Sequence, residues 1–252
     1  GFNVTGPITT VLDTQAMDSY LILFNILWGI KRVEQDLNNT WRLQMTSAHV
    51  LRPLQSLVGT MLHDGQLSRS EMALFVGNLR HYVMDDVVEP SWFRYSQEVS
   101  NAKCLDVVIK SHRKFLREIT ERALVTLNGK DLAISPNLTK SVVSDSQLGS
   151  YFRNLLASVS KFCSIEEGAY GIATDEARKV DERQLLGEPE TGPDAETEQQ
   201  LRSFEEKIQD TGAEYRAMYN KMLSVMAKLA ESEPNVRTLH MRLTYNMASA
   251  AT

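Results

Sequence analysis

From Thr14 to Arg42 apolar side chains recur at spacings of three and four, and this periodicity constrains the chain more than any other feature. Tyr20, Leu23, Phe24, Leu27, Ile30, Val33, Leu37 and Trp41 fall on one side of an α-helix, with Asp13 or Thr14 placed to cap its start. Early and late members of the set lie on adjoining faces, so the helix is expected to meet two neighbours. The opposite face carries Trp28, Arg32, Gln35 and Asn39. A Trp among polar side chains suits either a protein interface or a second internal contact.

The same period continues along the chain. Leu43 to Leu62 is helical in pattern, with Pro53 expected to end or kink it. His63-Asp64-Gly65 reads as a turn, and Ser68 with Glu71 as a capping box opening the next helix. That helix carries Met72, Phe75, Val76, Leu79, Tyr82, Val83 and Val87 on one face, with Pro90 expected to stop it. The aromatic segment Trp92-Phe93-Arg94-Tyr95 follows. A further helix over Lys103 to Leu124 is expected to bury Leu105, Val108, His112, Phe115, Leu116 and Ile119. Periodicity fails over 126–146, where Asn128-Gly129 and Ser135-Pro136 indicate a loop insertion. It resumes with Leu148, Tyr151, Phe152, Leu155, Leu156, Val159 and Phe162. The acidic run 165–200, punctuated by Pro189 and Pro193, reads as a solvated, mobile insertion. A long helix to about Glu231 then shows near-heptad spacing of Leu201, Phe204, Ile208, Tyr215, Met218, Tyr219, Met222, Met226 and Leu229.

At the chain end the period changes. Leu239, Met241, Leu243 and Tyr245 alternate strictly with polar residues, and Phe2 and Val4 do so at the other end. The fold class expected is therefore all-α, an irregular multi-helix bundle with a short two-stranded pairing of the chain ends.

The composition limits the function. The 252 residues are 42% apolar and 23% charged, with a net charge of −5, which suffices for a sizeable core and excludes global disorder. No apolar run is long enough to span a membrane, and the acidic balance argues against nucleic acid as a partner. Two cysteines, Cys104 and Cys163, are too few for a disulfide framework and suit a reducing compartment. No two of the five histidines are three or four residues apart, so no helical metal pair exists, and His112 on its apolar stripe reads as a core residue. Neither GxxxxGK[ST] nor GxGxxG occurs. Ser158 and Lys161 have the SxxK spacing of a serine hydrolase without its companion motifs, which a chance match explains. Asp85 and Asp86 read as a solvated helix end. No catalytic, cofactor-binding or metal-binding residue is assigned, and the chain reads as an interaction module. It opens without Met and is read as a piece of something longer.

Several segments, in order, resemble the C-terminal half of the gamma-tubulin complex proteins, the Spc/GRIP family. Asn3 to Ile8 is similar to that family's short strand followed by Pro and an apolar residue. Tyr20 to Glu34 resembles its helix with Tyr, Phe, Leu-Trp and Lys-Arg-x-Glu, and Trp41 falls where that helix often ends. Arg69 to Met72 and Tyr82 to Trp92 resemble "R-x-x-M … Y … E-x-x-W". Leu105 to Leu116 resembles "L-D-x-x-I-x-x-H-x-x-[FY]-L", and Leu239 to Asn246 resembles "L-x-x-R-L-x-[FY]-N". Lys31-Arg32 after Leu27-Trp28 looks most like the third-component branch. The departures are 126–146, 165–200 and the chain from Met247 onward.

The resemblance implies that 1–252 is a single C-terminal helical domain that binds gamma-tubulin and has no catalysis of its own. It implies a microtubule-nucleating complex in the cytoplasm, at a spindle pole body or centrosome, whose other components contact the N-terminal half missing here. The alternative is a helical adaptor for another partner. The resemblance singles out no contact residues, so those come from the sequence. They are Trp28, Arg32, Gln35 and Asn39 on the first helix, and Arg242 and Asn246, pointing away from the apolar side of the closing strand. The competing reading makes Arg32 a solvated charge and Arg242 an internal partner of an acidic side chain.

Overall fold

Asp13 caps the first helix: its Oδ1 accepts the Ala16 N–H at 2.8 Å, one of the amide groups a helix start leaves without an internal partner. That bond is the main reason its carboxyl lies below the usual range, with Arg113 Nη2 3.0 Å from Oδ2 acting in the same direction. The computed structural model describes residues 6–124, 147–186 and 193–250. Among them are α1 (Thr14–Ser47), α2 (Gln55–His81), a π-helical segment (Tyr82–Val88), α3 (Glu89–Ser100), α4 (Leu105–Leu124), α5 (Gln147–Leu185), α6 (Ala195–Leu229) and α7 (Pro234–Ala250). Short 3₁₀ turns occupy Pro7–Thr10 and Arg52–Leu54, and Pro53 lies in the second, between α1 and α2. Residues 126–146, read above as a loop insertion, lie outside the described residues, as do Phe2 and Val4.

The chain divides into two compact units, to both of which α1, α2, α5 and α6 contribute residues. Unit 1 comprises 1–31, 77–154 and 221–252. Its core takes Ile22, Ile26 and Ile30 from α1, Leu79, Tyr82, Val83 and Val87 from the α2–π stretch, and Phe115, Leu116 and Ile119 from α4. The expected stripe from Met72 to Val87 is buried throughout. Pro90 does not stop the helix; it sits in the first turn of α3. The π segment carries the backbone there, with the Glu89 N–H bonded five residues back to Met84 O. Proline has no N–H for the carbonyl four residues before it, that of Asp86, and Arg122 Nη2 donates to that oxygen at 2.7 Å.

The closing strand is a correction. Residues 234–250 form α7, and among the described residues there is no strand. Val236, Leu239 and Leu243 are buried whereas Met241 is 55% exposed. Burial thus follows spacings of three and four; the alternating pattern was a helical one with an extra apolar residue on the wet side. Leu105, expected inside, is also exposed.

Unit 2 comprises 32–76 and 155–220. Here the expected turn at His63-Asp64-Gly65 is absent, because α2 runs through it. Gly65 serves close packing instead: a Cβ there would lie 2.5 Å from Glu166 Oε1. Ser68 and Glu71 do not cap a helix; both bind Arg216 of α6, at 3.1 and 2.7 Å. The insertion expected over 165–200 is likewise corrected. α5 continues to Leu185, burying Glu166, Ala169, Tyr170, Ala173, Glu176 and Ala177, and α6 begins at Ala195. Acidity misled the sequence reading because both buried carboxylates have cationic partners, one on α2 and the others on later turns of α5 itself. Glu166 receives Arg69 Nη1 at 3.1 and 3.0 Å on its two oxygens. Glu176 receives Arg183 at 3.1 Å, Lys179 at 3.2 Å and the Asp194 N–H at 3.1 Å. Burial pushes the Glu166 carboxyl up to about 6, with Arg69 pulling the other way. Phe75 meets Tyr215 and Tyr219 edge-on at 6.3 and 5.6 Å.

Candidate partner interface

The outer face of α1 begins with a choice between two apolar stripes. Ile22, Ile26, Ile30, Val33 and Leu37 are buried, at spacings of four, four, three and four. Phe24 and Trp41, expected inside, are 57% and 54% exposed. The aliphatic set faces the cores and turns the aromatic set outward. The signal was in the sequence, since the aliphatic stripe keeps a single face over more turns. Phe24 stacks on Trp28, four residues on, with ring centroids 6.1 Å apart and an interplanar angle of 14°. Trp28 is 61% exposed. Arg32, Gln35 and Asn39 are exposed on the following turns, and Gln35 Nε2 donates to Asn39 Oδ1 at 2.9 Å.

The other two candidate residues have different fates. Arg242, on α7, is held inside unit 1: its Nε and Nη2 donate to the Asp86 carboxylate at 2.8 and 2.7 Å. This is the internal acidic partner that the sequence left open, and the fork geometry fits a guanidinium to a carboxylate. Asp86 thus takes Arg242 on its side chain and Arg122 on its backbone, so it is more than a solvated helix end. The Asn246 side chain lies outside the described residues.

A second surface was missed. α3 buries only Ser91, leaving Trp92 54% and Phe93 62% exposed. Behind them Tyr95 stacks on Phe115 at 5.0 Å, and Trp92 meets Phe115 edge-on at 5.9 Å. His112 is buried beside this group, with Nε2 hydrogen-bonded to Tyr20 Oη at 3.0 Å. Burial holds the His112 imidazole below its ordinary pKa, while the Val11 backbone and Asp13 pull upward.

Lys161 Nζ, the amine of the SxxK spacing, is exposed and lies 3.8 Å from Glu214. Burial pushes the Cys163 thiol up to about 12, which suits an inert core residue. Among the described residues no group of three or more His, Cys, Asp or Glu is arranged to hold a metal ion, and no helix is long and apolar enough to cross a membrane.

Comparison with known proteins places this arrangement. The family model described as gamma tubulin complex component C-terminal matches residues 1–247. A gamma-tubulin complex component 3 homolog of Xenopus laevis is 26% identical over 97% of this chain and 27% of its own length. Human gamma-tubulin complex component 3 is 34% identical over 52% of this chain and 14% of its own. Spindle pole body component 98 of Dictyostelium discoideum is 31% identical over 50% of this chain and 15% of its own. The chain therefore spans about a quarter or less of the length of these relatives. The third-component branch inferred from Lys31-Arg32 fits their names. The motifs read from the sequence and the match over 1–247 agree, and the chain belongs to the gamma-tubulin complex component C-terminal family.

Proposed function

We propose that this chain is a gamma-tubulin-binding scaffold domain of a microtubule-nucleating complex. The observation that carries the reading is the family match over residues 1–247. The domain holds gamma-tubulin by non-covalent contact and contributes no catalysis. Lateral assembly with other components, through parts of the protein beyond this chain, spaces successive gamma-tubulins as a template for microtubule growth. The place of action is a microtubule-organising centre, in keeping with relatives named as spindle pole body components. Exposed aromatic side chains on α1 and α3 support a binding role, since aromatics concentrate interface energy.

Size-exclusion chromatography of the purified chain with purified gamma-tubulin at micromolar concentration tests the reading. Co-elution is expected. Separate elution would overturn it and favour an adaptor for another partner.

A further inference from the structure

We propose that the outer stripe of α1 is the surface on which the partner docks, and that the partner presents there an apolar pocket bordered by carboxylates. The inference rests on the scaffold reading above and adds the location and chemistry of the contact. Its first half is apolar: Leu21, Phe24 and Trp28 are exposed at successive spacings of three and four, and the last two are stacked. Its second half is polar and basic, with Arg32, Asn39 and Arg42 exposed on the same line. From Leu21 to Arg42 the stripe runs about 32 Å along the helix, enough for one side of an ordinary protein interface.

Charge identifies the occupant. No carboxylate is exposed anywhere on α1, although the whole chain carries a net charge of −5. The helix's three acidic side chains, Asp18, Glu34 and Asp36, are half-buried, and Asp36 accepts a hydrogen bond from Ser160 Oγ at 2.9 Å. Arg32 and Arg42 have no ion-pair partner among the described residues, whereas Arg242 is already committed to Asp86. A rigid aromatic pair beside unengaged guanidinium groups matches a partner face with a pocket for Trp28 and acidic groups for Arg32 and Arg42. On α3, by contrast, the one basic side chain of the helix, Arg94, is already paired with Glu118.

The test compares Trp28→Ala, the pair Arg32→Glu with Arg42→Glu, and the pair Trp92→Ala with Phe93→Ala. Each is scored for affinity to purified gamma-tubulin at two salt concentrations and for melting temperature. Trp28→Ala should weaken binding about 30-fold, the ~2 kcal/mol of a central hot spot. The charge reversal should weaken it about tenfold and remove most of its salt dependence. The α3 pair should change affinity less than about twofold. Melting temperatures should be unchanged for the α1 variants, whose side chains are exposed, and slightly lowered for the α3 pair, where Trp92 meets Phe115 edge-on. If the parent chain binds and the α1 variants bind as well as it does, the proposed surface is wrong and the scaffold reading stands. If the α3 pair alone abolishes binding, the surface is wrong in the same way. If the parent chain does not bind, the scaffold reading fails and this inference fails with it.

Discussion

Unit 1 leaves aromatics in solvent, and unit 2 takes charges out of it. In unit 1 Phe24 and Trp28 stack on the surface, and Trp92 and Phe93 stand out from α3. Its Arg242–Asp86 pair is only partly covered, at 31% and 22% exposure. Unit 2 leaves Trp41 exposed but buries Arg69, Glu166 and Glu176 almost completely. A buried ion pair costs several kcal/mol in desolvation for each ion, so it is tolerated only where geometry satisfies both partners. Gly65 supplies part of that geometry by letting the Glu166 carboxylate lie against α2. The contrast teaches where to look for function. Arg69, Glu166 and Glu176 of unit 2 are spent on internal contacts, whereas Phe24, Trp28 and Phe93 of unit 1 keep more than half of their surface in solvent.

The largest test of this contrast is Arg69→Ala, which would leave Glu166 buried without its cation. Stability in urea should fall by about 3–5 kcal/mol, and Arg69→Met combined with Glu166→Leu should recover most of it. A loss under about 1 kcal/mol for Arg69→Ala would mean that unit 2 does not depend on its buried charge. Gly65→Ala comes next. The added methyl would collide with Glu166, and overpacking of this kind costs about 1–3 kcal/mol. In unit 1 the corresponding changes should be smaller. Arg122→Ala removes the donor to the Asp86 carbonyl and should cost about 1–2 kcal/mol. Arg242→Ala removes a half-exposed pair, for about 0.5–1 kcal/mol. Unit 1 variants that cost more than Arg69→Ala would reverse the comparison.

The smallest net effect is that of pH, because the two units pull in opposite directions. His112 titrates below its ordinary 6.5 in the folded protein, chiefly through burial. The folded state then binds fewer protons than the unfolded one, so stability is present above 6.5 and is lost as pH falls toward the depressed value. Glu166 is raised from 4.5 to about 6 by burial, so its contribution is present at low pH and is lost as pH rises from 4.5 through 6. His112→Gln should therefore reduce the gain in stability from pH 5 to pH 7, and Glu166→Gln should increase it. Urea unfolding at both pH values measures the difference; a shift of both variants in the same direction would break the assignment.

Periodicity alone made the all-α class legible, along with the buried stripe from Met72 to Val87 and the near-heptad face of α6. All three follow from a repeat of about 3.6 residues, which needs no knowledge of neighbours. The outward placement of Arg32, Gln35 and Asn39 was legible for the same reason, whereas Trp28 was open to an interface or a second internal contact until the fold left it 61% exposed. Tertiary structure decided what periodicity is blind to. Glu166 and Glu176 look solvated in a sequence because their cations sit on other turns or other helices, 97 residues away in the case of Arg69. Gly65 looks like a turn because the carboxylate that needs the space is just as distant. Leu239 to Tyr245 alternates like a strand, and only the packing of α7 shows that Leu239 and Leu243, four apart, are the buried pair. Arg242 could have faced a partner or an internal acid, and the fold brought Asp86 to it. A sequence states which side chains share a face. Which face meets a core, and which charge finds its counter-ion, depends on contacts between residues far apart in the chain, so only the folded arrangement decides them.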